Sequence, residues 1–192
     1  MRYGPNHKEE SRTKILHAIG RGFRMQGYAG IGVDGLAKVA GVTSGAFYGH
    51  FPSKADAFQA AAVAGLVELR QAVEALRTSE GDKWLKKFAD FYMSLKRTCE
   101  LGESCALQSL TPEVARAGPE TRNAYEAEML RVVEAIAEGL AHGTLAVRRK
   151  TAWAILAMLS GGVTLARASN DPAVGTQIAN AVTAAVVAVA NG

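Results

Sequence analysis

The chain has 192 residues, 48% of them hydrophobic and 21% charged, with only two cysteines. That length admits one domain, or a small module joined to a larger one; the apolar content excludes a disordered chain, and the cysteine count excludes a disulfide framework. The net charge of +4 is unevenly spread: residues 1–54 hold eight Lys/Arg against three acidic residues, the remainder fourteen against fifteen, so the excess sits in the first quarter, as in a polyanion-binding head on a neutral body.

Scarce proline, plentiful alanine and the lack of β-branched alternation predict an all-α fold. The N-terminal MRYGPNHKEE has no apolar core for a signal peptide. The longest apolar run, Ala152 to Ala166, is broken by Ser160, Gly161, Gly162 and Thr164 and falls short of the roughly 20 residues that span a membrane. A cytoplasmic protein with reduced thiols and no membrane partner is the expectation.

In chain order, Ile15, Ala18, Ile19, Gly22 and Phe23 give the segment from Lys8 to Gln26 helical spacing, and Gly27 ends it. A short second helix, Val33 to Ala40, buries Leu36, Ala37 and Ala40 and closes at Gly41. Thr43 or Ser44 caps a third of about seven residues, which reaches His50 before Pro52 stops it. Ser53-Lys54-Ala55-Asp56 is an S-x-x-D capping box that opens a long fourth helix with Phe58, Ala62, Leu66, Leu69, Val73 and Leu76 on one stripe.

A fifth helix carries Trp84, Leu85, Phe88, Phe91, Tyr92 and Leu95. A sixth runs from about Ser104 to Arg116, where Pro112 is expected to kink or split it. Pro119 opens a seventh with Tyr125, Met129, Val132, Val133, Ile136 and Leu140. An eighth covers Ala146 to Ala168, and a ninth starts at Asp171-Pro172 and continues to about Ala190. The organisation is a three-helix head, residues 1–53, and a helical body, residues 54–192, with about nine helices in all.

Two short helices separated by G-V-T on a longer preceding helix form a helix-turn-helix arrangement. Ser44, Gly45 and Gly49 are small enough for close approach to DNA. Phe47 and Phe51, four apart, anchor the helix, leaving Tyr48 and His50 for groove and phosphates. Lys54, in the first turn of the next helix, suits a phosphate. The run IGVDGLAKVAGVTSGAFYGHFPSKADAF, from Ile31 to Phe58, resembles the signature of the TetR family of transcriptional regulators: L-A-K-x-A-G-V-T, the Phe-Tyr-x-His-Phe aromatics, Pro-Ser-Lys and a following Phe. The resemblance covers about a quarter of the chain. It implies a homodimeric repressor that binds double-stranded operator DNA and is released when a small molecule enters the body. By matching position it implies a DNA-contacting set of Thr43, Ser44, Gly45, Tyr48, His50 and Lys54. Two departures are Gly32, where a capping Ser or Thr often stands, and Gly35 inside the second helix, which weakens it by ~1 kcal/mol relative to alanine. Specificity is then expected to lean on Thr43, Ser44, Tyr48 and DNA shape. An N-terminal arm with Arg2, His7, Lys8 and Arg12 is a candidate for additional contacts.

In the body, aromatic residues on several helices suit a cavity for a largely apolar effector; the candidates are Phe88, Phe91, Tyr92, Tyr125, Met129 and Trp153. Cys105 joins them. At the start of the sixth helix its thiolate would be stabilised, and the segment GESCALQSLTPEVARAGPETRNAYEAEM resembles a subset of TetR-family proteins, some of which respond to electrophiles or oxidants. That implies a sensor role for Cys105, with Cys99 as a conceivable resolving partner; Glu100 and Glu103 oppose the thiolate, and an inert core thiol is the competing reading. Ala152, Ile155, Leu156, Leu159 and Val163, with Ile178, Ala181, Val182, Ala185, Val186 and Val189, form two stripes on the last two helices suited to a homodimer interface. No H-x-x-x-H pair, cysteine pair at metal spacing, phosphate loop or nucleophile elbow is present, so no enzyme, metal or cofactor is expected.

Overall fold

α1 (Pro5–Gly30) contains Gly27 at φ 73, ψ 169, so the ladder breaks at the glycine that the sequence marks as its end, and Tyr28 begins a new turn beyond it. A computed structural model of the protein describes residues 5–191, with side chains described from residue 11 onward. Arg2, and the side chains of His7 and Lys8, lie outside the described residues. Among the described residues the fold is all-helical, with nine α-helices and no strand.

The chain divides into two compact units. One runs from the N-terminus to Gly65 and includes Leu101–Glu126; the other comprises Leu66–Glu100 and the chain from Ala127 onward. In the first, α1 packs against α2 (Val33–Val39), against a 3₁₀ turn at Leu101–Glu103 and against α6 (Ala106–Val114). Arg21 pairs with Glu103, and Arg24 donates to the carbonyl of Gly102 at 2.6 Å. The core of the head is Ile15, Ile19, Phe23, Leu36, Phe47, Phe51 and Phe58.

α6 begins two residues later than expected, with Cys105 at its cap. The Ser104 hydroxyl donates back to the Leu101 carbonyl at 2.5 Å and so completes the 3₁₀ turn instead of the helix. Pro112 does not split α6. It lies in the last turn, and the helix ends two residues on. The Thr111 hydroxyl donates to the Leu107 carbonyl there, while the proline leaves the Gln108 carbonyl without its helical donor.

α4 (Lys54–Glu80) begins in the first unit and ends in the second, as does α7 (Pro119–Gly139). In the second unit α5 (Trp84–Phe91) passes directly into a π turn, Tyr92–Lys96, which the sequence pattern does not announce. Trp84 donates to the Gly139 carbonyl at 2.9 Å. Glu128 is a buried carboxylate with two partners: Oε1 accepts from Arg70 Nε at 2.8 Å and Oε2 from Arg131 Nη1 at 2.6 Å, while Arg70 also donates to Glu74 at 2.9 Å. Burial pushes the Glu128 carboxyl up, but the two guanidinium hydrogen bonds and charges prevail and hold it below its ordinary value.

α8 (Leu145–Ala168), capped by Thr144, and α9 (Pro172–Asn191) pack along each other. Both are long and apolar enough to cross a membrane by length and composition. The eighth-helix stripe expected at an interface faces inward instead. Ala152, Ile155, Leu156, Leu159 and Val163 are all buried in the chain's own core, because α9 and the π turn cover that face. On α9, Val186 is buried, Ile178 and Val182 are half-buried, and Ala181, Ala185 and Val189 remain exposed.

Candidate nucleic-acid interface

Glycine at both Gly45 and Gly49 gives α3 (Ser44–Tyr48) little propensity of its own, so its five residues depend on caps and anchors. Thr43 is the cap: its Oγ1 accepts the Ala46 N–H at 3.1 Å. Ser44 has a different task, donating its hydroxyl to Asp34 of α2 at 2.6 Å, which ties the second helix of the motif to the first. The helix ends at Tyr48 instead of His50, with Gly49 as its C-cap.

Two rings hold α3 to the domain. Phe47 and Phe51 are buried, their centroids 5.5 Å apart. Tyr48, 53% exposed, stands on the other face with its ring edge-on to Phe47. Thr43 and Gly45 are exposed, and Ser44, His50 and Lys54 half-buried. The His50 ring leans on Phe51 with centroids 6.4 Å apart, and its Nδ1 is buried without a hydrogen-bond partner among the described residues. Arg12 is exposed and stacks its guanidinium over Phe51 at 5.4 Å. The Ser53 hydroxyl accepts the Asp56 N–H at 3.1 Å and donates to the Asp56 carboxylate at 2.6 Å, so the start of α4, with Lys54, is firmly closed.

Sequence reasoning missed three groups here. Asp34 orients Ser44; Tyr28 lies under the Lys54 ammonium, 4.5 Å from Nζ to the ring centroid; and Glu113 accepts the Tyr28 N–H at 3.4 Å. A usable signal existed for Tyr28, since an aromatic residue just past a helix-ending glycine often packs back on the helix.

A cavity of about 240 Å³ opens in the first unit, lined by Tyr28, Phe58, Glu113, Arg116 and Thr121 among others. None of the effector candidates borders it. In the second unit Phe88 and Tyr92 are buried with centroids 5.7 Å apart, Met129 is half-buried, and Phe91 and Trp153 are each 39% exposed. In the first, Cys105 is 8% exposed and its carbonyl accepts from the Ser109 hydroxyl at 2.8 Å. Tyr125 is buried with its hydroxyl 2.7 Å from Thr111 Oγ1. Burial pushes that phenol up to about 12; the Thr111 hydrogen bond opposes the rise and negative charge on Cys105 adds to it. Neither cysteine is in a disulfide among the described residues. Cys99, in the second unit, has its sulfur 3.3 Å from the Arg167 guanidinium, which also caps the Lys96 and Cys99 carbonyls.

A short capped helix carrying an exposed tyrosine and flanked by glycines, tied to a second helix and backed by α1, defines the protein as a helix-turn-helix protein. Residues 15–61 match the family model for bacterial regulatory proteins of the tetR family. The regulator LmrA of Bacillus subtilis is 44% identical over 52 residues, 27% of this chain and 25% of LmrA. The nucleoid occlusion factor SlmA of a Marinomonas species is 41% identical over 63 residues, 33% of this chain and 29% of SlmA. These two alignments thus span little more than a quarter of either relative. The transcriptional repressor NemR of Escherichia coli K12 is 28% identical over 146 residues, 71% of each chain. Among solved structures, the reduced form of E. coli NemR superposes with a TM-score of 0.77 at 19% identity, covering 94% of this chain and 97% of NemR. A TetR-family regulator from Cytophaga hutchinsonii gives 0.76 at 17% identity over 98% of both chains; at such identities the likeness is one of fold. The segment 15–61 thus matches the tetR-family model, and the chain shares its fold with solved TetR-family regulators.

Proposed function

We propose that the chain is a homodimeric repressor that binds a palindromic operator through α3 and is released by a small, largely apolar effector. Residues 1–53 are the DNA-binding segment in this reading, and residues 54–192 take the effector and form the dimer in the cytoplasm. The observation that carries it is the two-sided build of α3, with Phe47 and Phe51 buried and Tyr48 exposed on the other face. Thr43, Ser44, Gly45, Tyr48 and His50 meet the groove, and Lys54 meets a phosphate. Phe88 and Tyr92 are the body side chains we assign to the effector. The exposed part of α9 (Ala181, Ala185 and Val189), with Leu165 of α8, 64% exposed, supplies the partner face.

Fluorescence anisotropy on DNA from upstream of the coding sequence and on a scrambled control, across a salt series, tests the reading. Sequence-dependent binding with a steep salt slope is the expected result. Weak binding of equal strength to both duplexes, insensitive to salt, would overturn it.

A second reading, switching through Cys105, is favoured by the placement of this thiol at the start of α6 close to Tyr125. Limited alkylation followed by mass spectrometry tests it. Modification of Cys105 with loss of DNA binding supports a sensor, and an unmodified thiol in the folded protein removes the idea.

A further inference from the structure

We propose that Tyr28 is a positioning residue for the DNA contact of Lys54; the inference rests on the reading of the head given above. Lys54 opens α4, where the helix's free N–H groups already present partial positive charge, so a cation is placed against the dipole. Asp56 in the same turn is engaged by the Ser53 hydroxyl. The group that meets the ammonium is the face of Tyr28, 4.5 Å from Nζ to the ring centroid, within the range of a cation–π attraction.

The ring is itself held on several sides. It packs edge-on against Phe58 at 5.1 Å and stacks with Phe23 at 6.2 Å, and both of these phenylalanines are buried. Before it stands Gly27 at φ 73, where a Cβ would lie 2.9 Å from Glu113 Oε1, and that same oxygen accepts the Tyr28 N–H. Elements from α1, α4 and α6 therefore define where the ring lies. An ammonium has three donors on a flexible stem. A ring on one side restricts the stem and leaves donors on the other side for a phosphate, so the lysine meets DNA already oriented.

The test uses the full chain, a short fluorescein-labelled duplex of random sequence at low salt, and the variants Tyr28→Phe, Tyr28→Leu, Lys54→Ala and Tyr28→Leu/Lys54→Ala. Tyr28→Phe keeps the ring and is expected to bind like the parent, while Tyr28→Leu binds ~2- to 5-fold more weakly. Lys54→Ala lowers the salt slope by about 1, and adding Tyr28→Leu to it weakens binding no further. An equal loss from Tyr28→Leu with or without Lys54 would overturn the proposal by making the ring a fold support. Tighter binding by Tyr28→Leu would overturn it by showing the ring sequesters the lysine. If Lys54→Ala alone binds like the parent, the reading of Lys54 as a phosphate contact fails first, and that arm identifies which inference is at fault. A second measurement needs no Tyr28→Leu protein. In the parent with ¹³C-methylated lysines, the resonance lost in Lys54→Ala is expected to be shifted upfield by the ring, and to remain so in Tyr28→Phe. An unshifted Lys54 resonance overturns the proposal.

Discussion

Replacing Arg70 with methionine isolates the value of the buried charge in the second unit. The Glu128 side chain is only 3% exposed, whereas Arg131, the partner that would remain, is 65% exposed. Breaking a buried pair by removing one member costs about 3–5 kcal/mol, and the surviving Arg131 bond brings the figure below that range, to about 2–3 kcal/mol. At roughly 2–4 °C per kcal/mol for a chain of this size, the midpoint should fall by about 4–12 °C. Glu128→Gln should cost less, about 1–2 kcal/mol, because Arg70 keeps Glu74 and Arg131 turns to water. Glu128 titrates below its ordinary value of 4.5 in the folded state. Its contribution is therefore present above that value and lost as pH falls toward the folded one. The stability gap between parent and Glu128→Gln should accordingly narrow from pH 7 to pH 4. Urea denaturation followed by circular dichroism at fixed protomer concentration measures both effects. An Arg70→Met variant within about 0.5 kcal/mol of the parent, or a gap that does not change with pH, would refute the reasoning.

Gly65→Ala should destabilise the first unit by about 1–3 kcal/mol, since its Cβ would fall 2.2 Å from that of Ala106; a thermal melt checks this, and Ala106→Gly in the same chain should restore stability. Phe47→Ala should cost about 3–5 kcal/mol, because Phe47 is wholly buried. Tyr48→Ala, at an exposed site, should stay within about 0.5 kcal/mol of the parent while weakening DNA binding, so paired melts and anisotropy titrations separate anchor from reader. Gly27→Ala should strain the φ 73 backbone and crowd Glu113, giving faster amide exchange at Tyr28 by hydrogen-exchange mass spectrometry.

Local punctuation was the most legible part of the chain. Thr43, the Ser53–Asp56 pair and Asp171 each cap the helix their spacing announces, because a cap depends on residues a few positions apart. Phe47 and Phe51 are buried for the same kind of reason: four-residue spacing dictates a shared face. What covers a face is set by distant residues, and there the reading went astray. The stripe on α8 is apolar whichever surface meets it, and nothing local shows that α9 and the π turn already do. The π turn was invisible because Tyr92–Lys96 has an ordinary helical composition. Glu113 was missed because 85 positions separate it from the Tyr28 amide it meets. The effector candidates were chosen as aromatics at helical spacing, a pattern shared by buried Phe88 and by the exposed Phe91 three residues later.

The first unit is made from two separate stretches of chain, and a ribosome must therefore deliver them at different times. When Gly65 has emerged, α1 has its neighbours in α2, but Arg21 and Arg24 have no Glu103 or Gly102 to meet, and the Tyr28 amide has no carboxylate. All three arrive only after the intervening Leu66–Glu100 has been made. During that interval the nascent head carries its basic residues without the acidic clasp that later fastens α1, and it closes only as α6 comes off the ribosome.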